Sequence, residues 1–190
     1  DLCPTEQENG KWSNGDDGCI DTIDDLMNFA VGDVNQFWSA VFEEQGERYV
    51  EPESVTAYSR TIRTGCGASV PDNAFYCGVD NSIYYDADFL EALLDEFGDF
   101  SPVIVVAHEW GHLVQAQLGI LDQRRRADIQ NELQADCFAG AYTQNAESRG
   151  LLEEGDVYGD AVNTAARMTQ MAKREQIVTT LSTVRGLTNS

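Results

Sequence analysis

The chain has 190 residues, 42% of them apolar, and sets 33 acidic against 12 basic side chains for a formal net charge of −21. That length fits one domain with a sizeable core, and so acidic a surface repels phosphate, which argues against nucleic acid and anionic membranes as partners. The longest apolar run, Val103 to Ala107, stops at His108, far short of the length needed to span a bilayer.

The sequence begins at Asp1 without Met, which fits removal of a signal peptide, and five cysteines favour an exported, extracytoplasmic or secreted protein. Cys3 and Cys19 flank one Gly/Asn/Asp-rich loop, and Cys66 and Cys77 flank another, so each pair has a spacing that a disulfide can close. Cys137, in an apolar helical stretch, reads as a buried free thiol. Residues 1–20 read as an irregular arm. Asp21 is placed to cap a helix from Thr22 to about Ala30, Gly32 to break it, and Asp33 to cap a second helix to about Gln45. In the latter, Val34, Phe37, Trp38, Val41 and Phe42 recur at helical spacing, as a core-facing stripe does.

Between Val55 and Asp86 the texture changes to short runs of Val, Ile, Thr, Tyr and Phe broken by Gly, Pro and Asn. These predict a small antiparallel sheet with strands near 55–63, 74–79 and 83–85. Asp86 is a cap for a helix through Phe97, stopped by Gly98. Ser101-Pro102 predicts a helix start and Gly119 its stop. Further helices are expected over roughly 124–148 and 156–181. Helices, then a sheet, then helices give an α+β fold in one domain over 1–190, with helices and sheet in 21–100 and a helical part in 101–190.

The only two histidines fall four apart, in His108-Glu109-Trp110-Gly111-His112. On a helix these positions share a face, so both imidazoles can converge on one metal. Glu109 lies about a hundred degrees around from His108, beside the metal, where it can take a proton from a metal-bound water and return it to a leaving amine. Two imidazoles buried in an apolar helix need partners, and a metal supplies them. A catalytic zinc site wants a third protein ligand. The following helix offers Glu132-Leu133-Gln134-Ala135-Asp136, where Glu132 and Asp136 share a face; Glu132 is the expected third ligand, and Asp136 the acceptor for an imidazole N–H.

HEWGH with ELQAD resembles the Glu-x-x-x-Asp branch of HExxH zinc peptidases, the gluzincins. More closely, AFYCGVDNSIYYD, VAHEWGHLVQ and ELQADCFAGAY resemble the putative neutral zinc metallopeptidase family of bacteria, over roughly residues 60–165. The resemblance implies a zincin-like fold, one Zn2+ held by His108, His112 and Glu132, catalysis by Glu109, and a peptide or protein substrate cut by an endopeptidase. It further implies that Asn73 and Ala74 begin an edge strand whose main chain pairs with an extended peptide. Family members commonly carry a His-Gly element near the C-terminus that is missing here. Polarising the scissile carbonyl then falls to a Tyr, an Arg or the zinc, with Tyr142 the first candidate and Tyr76, Tyr158 and Arg167 behind it. The competing expectation is a zinc-retaining scaffold or binding module with little or no turnover. A zinc deaminase is excluded by the lack of a Cys-x-x-Cys pair.

Overall fold

Thr22 opens the first helix, its hydroxyl accepting the Asp25 N–H at 3.2 Å and so meeting one of the unpartnered amides of a helix N-terminus. The computed structural model describes residues 22–121 and 128–151. The arm over 1–20, the Cys3–Cys19 pair, Tyr158, Arg167 and the expected helix over 156–181 lie outside the described residues.

From Thr22 a single helix, α1, runs Ile23–Glu44. The expected break at Gly32 does not occur. One glycine in a helix costs about 1 kcal/mol relative to alanine, and the buried stripe Leu26, Met27, Ala30, Val34, Trp38, Phe42 continues across it. Asp33 is accordingly an interior residue of α1 and not a cap.

Five short strands follow: β1 (Ser54–Tyr58), β2 (Arg63–Thr64), β3 (Gly67–Ala68), β4 (Ala74–Cys77) and β5 (Ser82–Asp86). Strands β1, β5 and β4 form one sheet in that order, and β2 and β3 a separate hairpin. The sheet is mixed, correcting the antiparallel expectation: β1 runs parallel to β5, pairing Ser54 with Ser82 and Tyr58 with Asp86. Only β4, pairing Ala74 with Tyr85 and Cys77 with Ser82, is antiparallel to it. The segment expected as one strand over 55–63 is cut at Arg60, whose φ is +69°, and its end becomes β2. Every residue of β5 is buried at the sheet centre, whereas β4 is an edge. A Cys66–Cys77 disulfide, Cα atoms 5.8 Å apart, ties the β2–β3 turn to the end of β4.

Asp86 closes β5 and caps α2 (Ala87–Phe97), accepting the Asp88 N–H at 3.2 Å; Gly98, at φ +88°, ends that helix. The next helix, α3, spans Phe100–Gln117. Ser101 sits inside its first turn, not at the cap, with its hydroxyl 2.7 Å from the Gly98 carbonyl and 2.8 Å from that of Leu93. The fourth helix, α4, spans Asp128–Ser148.

Among the described residues, helix α3 lies at the centre of the core. Val103, Val106, Ala107, Trp110, Leu113 and Val114 are all but inaccessible to solvent, packed among Trp38 and Phe42 of α1, Leu90 of α2, and Phe138 and Tyr142 of α4. Trp38 meets Phe138 edge-on at 5.4 Å and Phe37 meets Tyr142 at 5.7 Å, so aromatic rings join α1 to α4. Gly111 lets α3 and α4 touch: a Cβ there would stand 2.8 Å from the Ala135 Cα and 2.9 Å from its carbonyl oxygen.

Candidate metal centre

His108 and His112, one turn apart on α3, present their rings nearly perpendicular (85°) with centroids 4.8 Å apart. The close α3–α4 contact at Gly111 and Ala135 delivers Glu132 to them. Its Oε2 lies 3.1 Å from His108 Nε2 and 3.5 Å from His112 Nε2. Four-coordinate zinc, with bonds of about 2.0–2.2 Å, separates neighbouring ligand atoms by roughly 3.4 Å. The donor types suit that ion, and both separations of the carboxylate from the imidazole nitrogens match its spacing. Among the described residues this is the one His/Cys/Asp/Glu group gathered so closely, its donor atoms within 4.8 Å of one another.

The far side of each ring is also held. His108 Nδ1 lies 2.8 Å from Asp136 Oδ1, the partnership expected of Asp136. His112 Nδ1 lies 2.9 Å from Gln115 Oε1, a residue that the sequence reading passed over. The available signal was its spacing: three positions after His112 on the same helix places Gln115 beside that ring. Burial drives the His108 pKa down, but the hydrogen bond to Asp136 and the charges of Glu109, Asp136 and Glu132 outweigh it, and the value ends above the usual one.

Glu109 is buried, 8% exposed, between α3 and β4, and its Oε2 accepts the Tyr76 N–H at 2.9 Å. Burial raises its pKa more than the two histidines and the Tyr76 amide lower it. That amide also gives the direction of the β4 edge. The Asn73 carbonyl accepts the Asp86 N–H at 2.9 Å, so alternate residues from Asn73 onward bond inward to β5. Ala74 and Tyr76 fall between them and turn their main chain outward, toward the side on which Glu109 lies. Of the two residues expected to meet substrate, Ala74 is on the outward edge, while the Asn73 carbonyl is taken up by Asp86 and by the Tyr58 hydroxyl at 3.0 Å.

Tyr142 does not reach this site as expected. It is fully buried and its hydroxyl donates to Asp33 Oδ2 at 2.8 Å, where Arg149 also binds Asp33 through two hydrogen bonds of 2.7 and 2.6 Å. Burial, followed by the Asp33 charge, pushes the phenol well above its usual pKa. The geometry makes Tyr142 a link between α1 and α4, not an oxyanion donor. The Tyr76 hydroxyl donates to Asn81 at 3.0 Å. Cys137 is a free thiol as expected but half-buried instead of enclosed, with burial and neighbouring Asp136 holding its pKa up.

Residues 4–179 match the profile of the family described as "Putative neutral zinc metallopeptidase". The chain belongs to this family. Relatives of this neutral zinc metallopeptidase family member include Escherichia coli K12 protein YpfJ, 38% identical over 144 residues, which are 67% of this chain and 50% of that protein. Another is Mycobacterium tuberculosis H37Rv protein Rv2575, 38% identical over 140 residues, 62% of this chain and 47% of that one. Both bear names that state no activity. The chain spans about half the length of the curated relatives it matches, and no solved structure matches it.

Proposed function

We propose that the protein is a zinc-dependent endopeptidase with His108, His112 and Glu132 as metal ligands and Glu109 as general base. The observation carrying this reading is the meeting of both Nε2 atoms with Glu132 at 3.1 and 3.5 Å, beside a buried carboxylate that is not itself among the ligands. Zinc, when bound there, supplies Lewis acidity that polarises a carbonyl and eases deprotonation of water. The Tyr76 N–H fixes one oxygen of Glu109, leaving the other to take a proton from the attacking water and pass it to the departing amine. An extended peptide is held by the outward main chain at Ala74, which pairs without demanding a particular side chain.

Hydrolysis of an unstructured protein such as casein tests the reading. Activity is expected from the zinc-loaded protein, abolished by a chelator and reduced about a hundred- to ten-thousand-fold in Glu109→Gln; an equally active Glu109→Gln would refute the role of Glu109. The second reading, a zinc-retaining binding module, is favoured by the burial of the Tyr142 hydroxyl against Asp33, which takes the first oxyanion candidate out of the site. It predicts bound zinc with no hydrolysis in the wild type. The Cys66–Cys77 bond supports an oxidising, extracytoplasmic setting. The charge of −21 supports a substrate other than a polyanion. No helix among the described residues is long and apolar enough to cross a membrane.

A further inference from the structure

Gln115 is wholly buried beside the metal centre, and its three contacts leave its amide one orientation. Nε2 lies 2.7 Å from the Asn131 carbonyl oxygen, which can only accept, so the NH2 end points toward α4. Its other hydrogen reaches Gln134 Oε1 at 3.1 Å. The carbonyl end therefore faces His112, with Oε1 2.9 Å from Nδ1. A carbonyl oxygen can only accept as well, so the hydrogen of that bond belongs to His112 Nδ1. The ring's lone pair is then on Nε2, the nitrogen 3.5 Å from Glu132. Asn131 immediately precedes Glu132, so the amide that orients one ligand also pins the backbone next to another.

We propose that Gln115 is a positioning residue of the metal centre, holding His112 in its Nδ1–H form while anchoring α4 at Asn131 so that Glu132 meets both imidazoles. This rests on the zinc-site reading above. The two histidines are thereby oriented differently: His108 by the carboxylate of Asp136, His112 by a neutral amide. The donor end explains the choice of residue. A glutamate at 115 would still accept from His112 but would set a negative oxygen against the Asn131 carbonyl, and a leucine would leave His112 Nδ1 without this acceptor and remove the side-chain tie to Asn131.

Two measurements test this. Long-range 15N–1H NMR of the zinc-free wild type, at a pH where the ring is neutral, is expected to show His112 protonated at Nδ1 and bare at Nε2; a ring protonated mainly at Nε2 would overturn the proposal without any variant. Competition with a chromophoric chelator, using zinc alone as the probe, is expected to show about 10–100-fold weaker binding in Gln115→Leu, and its zinc-free ring should lose the Nδ1–H preference. Gln115→Glu should keep that preference yet still bind zinc more weakly, and it stands in for Gln115→Leu should the latter not fold. A folded variant with wild-type zinc affinity, or a lower melting temperature with tautomer and affinity unchanged, would make Gln115 merely structural and refute the proposal. A wild type that binds no zinc would instead remove the metal site itself, an outcome told apart because the tautomer is read without metal.

Discussion

At the residue scale, the proposed centre depends on the groups behind its two histidines. Asp136 accepts from His108 Nδ1 and so turns Nε2 toward Glu132. Asp136→Ala is expected to weaken zinc binding about 10–100-fold, measured by chelator competition; unchanged affinity would exclude Asp136 from this role. His108 and Glu109 also set a pH dependence of the metal-free fold. Both have folded pKa values raised above their unfolded ones, so their contribution to stability is fully present below the unfolded values and is lost as pH rises through the folded ones. The chelated protein should therefore melt at lower temperature as pH rises from about 6 to about 8, and less steeply so in His108→Ala. A chelated wild type whose melting temperature climbs over that range would contradict the assignment.

At the element scale, the distance between α3 and α4 decides whether Glu132 can join the histidines. The Gly111–Ala135 contact has no room for a methyl group. Gly111→Ala should force the helices apart, costing about 1–3 kcal/mol of stability and weakening zinc binding; calorimetry with a zinc titration checks both, and an unperturbed variant would show that the helices have slack. That His108, His112, Glu132 and Asp136 come together was legible in the sequence because i, i+4 spacing is a local rule that a helix enforces. The helix-breaking reading of Gly32 failed because tertiary burial of Ala30 and Val34 on either side outweighs a small local preference. The parallel β1–β5 pairing was not legible, since alternation of apolar residues reports which face is buried and not the direction of a neighbour. Tyr142 was misread for a similar reason. Its partner Asp33 is 109 residues away, beyond any local pattern.

At the scale of the whole molecule, a core built on α3 holds His108 and His112, and the edge of a small sheet lies beside Glu109. The Cys66–Cys77 bond secures that edge at the residue following Tyr76, whose amide holds Glu109. Closing a loop of this size contributes about 3 kcal/mol in the chain-entropy account. The Cys66→Ser, Cys77→Ser double variant should therefore melt several degrees lower and lose hydrolysis before it loses zinc, because the proposed ligands sit on helices and the proposed substrate edge does not. Simultaneous loss of both would show that the hairpin also supports the metal ligands.

The most direct test is elemental analysis of the purified protein after zinc loading and exhaustive dialysis. About one zinc per chain is expected in the wild type and in Glu109→Gln, with most of it gone from His112→Ala and Glu132→Ala. Wild-type protein that emerges free of zinc, or a His112→Ala variant that keeps a full complement, would contradict the centre described here.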